Sequence, residues 1–313
     1  MGGLAERFSG KQLFFGGFAI YLLGAILLFV IFGSDGRNDS FEPQSEFELT
    51  PLWGTPEIKL GPLDLSFNKA VLLILMASAL TIWIMIRIAK KMEDKPNKTQ
   101  MALEWAYDIS RKDITRDNMD EEMAARWFPF TAALFFWILV SNILGFLPLP
   151  INTEHPVDVF GVEVPPLAIY AATANISVPL ILTLVVWIVY NIQGVIYHGG
   201  PFKYLATWLP PGLEDMNPIA KGLIFGIEVI SHVVRLVSLS VRLFANMLAG
   251  HLLLLFMGGG LAIILGISAL GWITAPVAIV FFLFEVVIVA GLQAFIFAIL
   301  TGIYLGSATS EAH

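Results

Sequence analysis

The chain has 313 residues, of which 57% are hydrophobic and only 14% charged, with a formal net charge of -7. Several apolar runs exceed the roughly 18 residues needed to cross a bilayer, which excludes an ordinary soluble enzyme and points to an all-α polytopic membrane protein. Cysteine is absent, so disulfides, thiolate metal sites and thiol nucleophiles are excluded, and the acidic balance in the loops argues against a nucleic-acid partner.

Membrane segments are expected near residues 12–33, 69–90, 127–148 and 173–194, then as two long apolar helices near 218–257 and 261–306, about six in all. The first follows Arg7 and Lys11 as a signal peptide would. Its apolar core is longer than a usual signal core and no A-x-A site follows, so a retained helix is the expectation. Residues 34–68 are acidic and rich in Pro and Gly. Glu57 to Leu65 alternates across Gly61-Pro62, which predicts a small hairpin, and Val157 to Val164 has a similar pattern. Residues 98–126 mix Met, Leu, Trp and Ile with charges at helical spacing, as in an amphipathic helix lying on a membrane surface.

Basic residues orient these segments. Residues 87–126 carry nine Lys or Arg, residues 149–168 carry none, and residues 34–68 hold Arg37 and Lys59 against seven acids. Positive and non-positive connections alternate, which places both termini on the cytoplasmic or matrix side.

The last two segments are unusual. Forty residues of helix from 218 to 257 would measure about 60 Å, twice the hydrocarbon thickness. The run must therefore tilt steeply or break. Gly258-Gly259-Gly260 is a candidate turn into a second overlong helix, which Gly271 and Pro276 offer a means to bend. Between residues 222 and 307 the only formal charges are Glu228, Arg235, Arg242 and Glu285. Glu228, Ser231, Arg235, Ser238, Arg242 and Asn246 are spaced 3, 4, 3, 4 and 4, which puts all six on one helix face. A polar stripe about 27 Å long thus runs along an apolar helix. An intramembrane arginine costs several kcal/mol and by default marks an ion pathway. His251, nine residues after Arg242, lies about 180° round the helix. His232 lies about 80° off the stripe and is expected to be incidental.

The run Ser238-Leu-Ser-Val-Arg-Leu-Phe-Ala-Asn-Met-Leu-Ala-Gly-His251 closely resembles the signature of subunit a of F-type ATP synthases. Leu292-Gln-Ala-Phe-Ile-Phe-Ala-Ile-Leu-Thr-Gly-Ile-Tyr304 is similar to that family's last helix, and Leu60-Gly-Pro62 and Ser141-Asn-Ile-Leu-Gly-Phe-Leu-Pro148 extend the likeness. It covers roughly residues 55–313. The resemblance implies a membrane domain over 51–313 whose last two helices form a slanted hairpin against a ring of c subunits, with residues 1–50 as an added N-terminal extension. It implies a proton-conducting stator: two offset half-channels load and unload protons on the c-ring carboxylates, so coupling proton flow to ATP synthesis. The implied partners are the c-ring proteolipids, the peripheral-stalk b subunits, the soluble ATPase head and the lipid bilayer. The implied location is a bacterial inner membrane, with the mitochondrial inner membrane as the alternative.

By the same resemblance Arg242 matches the essential arginine, Asn246 the motif asparagine, Gln293 the glutamine of the last helix, and His251 a position held by Glu or His. Glu285 departs from the pattern. It lies eight residues before Gln293 where the family has seven, an offset of about 80° unless a π-bulge absorbs the extra residue. Asn142, Thr173, Asn175, Ser177 and Gln293 are expected to line an inlet with His251 and Glu285, while Glu228, Ser231 and Ser238 form an outlet. Any of these polar groups could instead simply bond a neighbouring helix.

No G-x-x-x-x-G-K-[ST] loop is present, so the chain is not expected to handle ATP itself. No HExxH or paired-His spacing predicts a metal, and no cofactor is expected. The competing class, a stand-alone proton-coupled secondary transporter, would call for internal repeats and helices broken near the midplane. No repeat is visible.

Overall fold

The computed structural model describes residues 19–24, 26–27, 59–60, 63–64, 67–90, 96–146, 157–159, 162–164, 171–209, 217–257 and 267–309. Within these, the order is a hairpin β1 (Lys59–Leu60) and β2 (Leu63–Asp64), α1 (Lys69–Lys90), α2 (Lys98–Ile109) and α3 (Glu121–Gly145). A second hairpin of β3 (Val157–Val159) and β4 (Val162–Val164) follows, then α4 (Ser177–Tyr197), α5 (Pro201–Ala206) and α6 (Pro218–Leu255). The chain ends in α7 (Ser268–Phe284), a π turn (Glu285–Val289) and α8 (Ala290–Thr309). Both hairpins are antiparallel, with Leu60 opposite Leu63 and Val159 opposite Val162. Five stretches among the described residues are long and apolar enough to cross a membrane: Lys69–Arg87, Glu121–Gly145, Ser177–Tyr197, Pro218–Leu255 and Leu270–Thr309. Of the expected first segment, 12–33, only residues 19–24 and 26–27 are described, and they are helical. The Gly258-Gly259-Gly260 turn lies outside the described residues.

Asparagine starts four of these helices. The Oδ1 atoms of Asn68, Asn97, Asn175 and Asn217 accept from the backbone N–H of Val71, Gln100, Ser177 and Ile219, at 2.8 to 3.1 Å. Each satisfies a donor that the helix itself leaves unpaired. Pro218 follows Asn217 as the first residue of α6, where a missing N–H costs nothing.

The expectation of one amphipathic helix over 98–126 is corrected. After α2 the chain loosens through a π segment (Ser110–Thr115) and tightens through a 3-10 turn (Arg116–Asn118), then restarts as α3 at Glu121. Asp120, Glu121 and Glu122 together favour a helix N-terminus there, because the first-turn N–H groups attract negative charge. The expected segment 173–194 is shifted for a similar reason. A 3-10 turn (Ala172–Ala174) ending at Asn175, whose side chain accepts from the Ser177 N–H, delays α4 to Ser177.

The described chain divides into two compact units. One contains residues 249–285 with the described part of 1–48, and the other contains 49–248 with 286–313. In the larger unit α3 is central and packs against α8 and α1. Ala290, Ala294 and Ala298 form a fully buried row one helical turn apart on α8. Small residues let two helix backbones approach closely, which matters in lipid because helix association there depends on packing contacts. Gly302 and Gly306 extend this row. A Cβ on either would collide with the carbonyl of Ile114 or Asn118, so the π and 3-10 segment lies directly on the α8 backbone. Trp137 Nε1 donates to Ser78 Oγ at 2.9 Å, joining α3 to α1. Large apolar side chains such as Ile82, Trp83, Ile181 and Ile192 are exposed, as expected of surfaces that face acyl chains. In the smaller unit Tyr21 stacks on Trp272 with ring centroids 5.6 Å apart.

Candidate functional site

The polar stripe of α6 is a continuous helical face, but its two ends have different surroundings. His232, Leu239, Ser240, Leu243 and Met247 form the buried side of the helix. Arg242, Ser238 and Asn246 are exposed, whereas Glu228, Ser231 and Arg235 are half-buried. Among the described residues Arg242 forms no ion pair. Glu228 Oε1 instead pairs with Arg235 Nη2 at 3.6 Å.

The N-terminal part of the stripe meets a cluster that sequence spacing does not reveal. Gly199 and Gly200, with φ of 71° and 149°, turn the chain sharply after α4, a conformation that glycine adopts without steric cost. That turn brings α5 back over α4, so that the Tyr204 ring lies on Gly194 and Tyr204 Oη donates to Asn191 Oδ1 at 3.2 Å. Burial raises the Tyr204 phenol above its ordinary range, so it remains a hydroxyl. Trp208 then stacks on His232, centroids 4.0 Å apart and planes within 14°. Tyr190 Oη is 3.0 Å from His232 Nδ1, and His232 Nε2 is 3.8 Å from Glu228 Oε1. Arg235 lies over the Tyr304 ring at 5.9 Å. Tyr190, Tyr204, Trp208, Glu228, His232 and Arg235, together with Thr207 and Ser307, line a cleft of about 250 Å³. The expectation that His232 is incidental is thereby corrected. It is the buried centre of the cluster, and its four-residue spacing from Glu228 was the one local signal of the partnership.

A second constellation links three elements. Asn142 is fully buried; its Oδ1 accepts from Thr173 Oγ1 at 2.7 Å and its Nδ2 donates to the Ala290 carbonyl at 3.4 Å. Gln293 is buried one turn further along α8. Asn175 and Ser177 lie at the start of α4. Asn175, the residue before the Ile176 cap, accepts from the backbone N–H of Ser177, and Ser177 is exposed at the first position of that helix.

In the smaller unit, Glu285 is 9% exposed and its Oε2 is buried without a hydrogen-bond partner. The carboxylate faces the backbone of Gly250, the residue before His251: a Cβ built on Gly250 would fall 2.6 Å from Oε2 and 2.8 Å from Cδ. His251 is half-buried. Glu285 is also the first residue of the π turn. A buried, unpartnered carboxyl beside a helix backbone is suited to holding and releasing a proton. Among the described residues no group of three or more His, Asp or Glu is placed to hold a metal ion.

Comparison with known proteins gives one answer. The profile of the family described as ATP synthase A chain matches residues 71–306. The ATP synthase subunit a of Pelagibacter ubique is 34% identical over 271 residues, covering 87% of this chain and 98% of the relative. That of Gluconobacter oxydans is 34% identical over 278 residues, covering 88% and 99%. The subunit a of Rubrobacter xylanophilus is 31% identical over 258 residues, covering 82% and 90%.

Proposed function

This chain belongs to the ATP synthase subunit a family, and from that premise we propose that Arg242 is the fixed charge against which the rotor carboxylates discharge their protons. The chain is the proton-conducting stator subunit of a rotary ATP synthase. It carries protons and leaves ATP chemistry to other subunits.

The observation that carries the role of Arg242 is its position. It is an exposed guanidinium on the polar stripe of an otherwise apolar helix, with no ion pair among the described residues. A carboxylate travelling through lipid must be neutral, because its ionised form is too costly there. Opposite Arg242 the ionised form is stabilised, so the carboxyl gives up its proton at that point and nowhere else. Arginine holds its own proton under all working conditions, so the same residue blocks a direct path between the two half-channels. The exposed face carrying Ser238, Arg242 and Asn246 is the face that meets the c ring in this reading. Peripheral-stalk b subunits and the soluble head complete the assembly, in a bacterial inner membrane.

Glu228, Ser231 and Ser238 belong to the outlet. His251, Glu285, Gln293, Asn142 and Thr173 belong to the inlet, with Asn175 and Ser177 at its edge. The π turn supports the place of Glu285. A π turn holds one residue more than an α turn, so eight residues from Glu285 to Gln293 count as the seven of the family pattern.

The test is Arg242→Lys in the assembled synthase, reconstituted into vesicles. ATP-driven proton pumping is expected to be abolished while the complex still assembles. Pumping at the unaltered rate would overturn the assignment.

A further inference from the structure

We propose that His232 is a proton-carrying residue of the outlet, taking protons from the Arg242 stripe and passing them to Glu228. The inference rests on the stator reading above and adds a residue that the stripe itself does not contain.

Every element packed around His232 presents a group to it. From α4, Tyr190 Oη contacts Nδ1 at 3.0 Å. The segment after α5 supplies the Trp208 indole stacked at 4.0 Å, with Tyr204 beside it at 5.8 Å from Trp208. On α6 itself, Glu228 lies 3.8 Å from Nε2, and Arg235 holds the same carboxylate oxygen at 3.6 Å. α8 contributes Ser307 to the cleft and Tyr304 beneath Arg235. The charged set is therefore one carboxylate and one guanidinium, which cancel. At rest His232 is neutral, since a further cation in a site only 8% exposed has no second anion to balance it.

A neutral imidazole has one ring nitrogen with a free lone pair. A proton arriving from water on the stripe binds there and gives an imidazolium whose two N–H groups point at Tyr190 Oη and at Glu228. Its Nε2 proton then passes to the Glu228 carboxylate once the pair closes by about 1 Å to hydrogen-bond distance. The products are a neutral imidazole and a neutral carboxylic acid. Glu228, one-third exposed, next loses its proton to cleft water and returns to its ion pair with Arg235. A cleft of about 250 Å³ has room for several waters. The tryptophan stack and the tyrosine bond fix the ring plane, so one nitrogen always faces Glu228.

The whole synthase carrying His232→Gln or His232→Phe, reconstituted into vesicles, tests this. Proton flux is measured while pH is varied only on the side facing the start of α6. The unaltered enzyme should show an inflection within the range of about pH 5 to 8 over which histidine changes charge. His232→Gln keeps a hydrogen-bonding side chain against Tyr190 but cannot carry a proton. It should lose the inflection and slow flux at least threefold. Tyr190→Phe, which leaves the ring packing intact, should move the inflection without removing it. A His232→Gln profile superimposable on the unaltered one overturns the inference, as does an inflection that survives both histidine substitutions. Arg242→Gln separates this from the parent reading: continued conduction in that variant defeats the stator assignment itself, whatever His232 does.

Discussion

Gly250 lies directly against the carboxylate of Glu285, with room for hydrogen but not for a methyl group: an added Cβ would stand 2.6 Å from Oε2. This close approach explains why a residue without a side chain precedes His251. It also brings Glu285 to the neighbourhood of His251, although about 8 and 25 residues separate them from the glycine triplet in sequence. A symmetric hairpin would not do so.

Gly250→Ala is expected to displace the Glu285 carboxylate, since the end of a flexible side chain yields more readily than backbone. The complex should assemble, and proton flux should fall roughly tenfold, equivalent to about 1.4 kcal/mol on the barrier. Flux measured in reconstituted vesicles checks this, and an unchanged rate would show that the carboxylate's position is not critical.

His251 and Glu285 should act as one unit. His251→Ala and Glu285→Gln are each expected to slow proton flux, and the double variant to be little worse than the more severe single one, as coupled groups behave. Fully multiplicative losses would separate the two residues and reduce Glu285 to a structural role.

Accessibility should divide the polar residues into two sets. The chain has no native cysteine, so single cysteines report without background. Cysteines at Ser231 and Ser238 are expected to react with membrane-impermeant thiol reagents from the cytoplasmic side, and one at Gln293 from the opposite side. Equal labelling of all three from one side would remove the division into inlet and outlet.

Asn142 ties α3 to the Ala172–Ala174 turn and to the start of α8. Asn142→Ala leaves the Thr173 hydroxyl without its acceptor in a fully buried site. Hydrogen bonds within membrane proteins average well below their expected strength, so a loss of about 0.5–2 kcal/mol is expected. Reversible unfolding in bicelles would measure it; a stability equal to that of the unaltered chain would place Asn142 in proton passage alone.

Local periodicity and composition were enough for the membrane class, for α1 at its observed bounds, for the two hairpins and for the stripe on α6. These depend on the helix repeat, on hydropathy and on turn residues, all short-range properties of the chain. Glu285 shows where that stops. Its eight-residue spacing raises the question of a bulge, but only packing decides whether a helix takes in an extra residue, and here it does so as a π turn. The Arg235–Glu228 pair could be read as a seven-residue spacing along one face. His232 could not be placed, because Tyr190 and Trp208 reach it from other elements through the Gly199-Gly200 turn. Asn142, Thr173 and Ala290 likewise meet only after three separate segments have packed. The sequence determined which groups are polar within the membrane; the tertiary structure decided their partners, because a buried polar group takes whichever donor or acceptor packing brings to it.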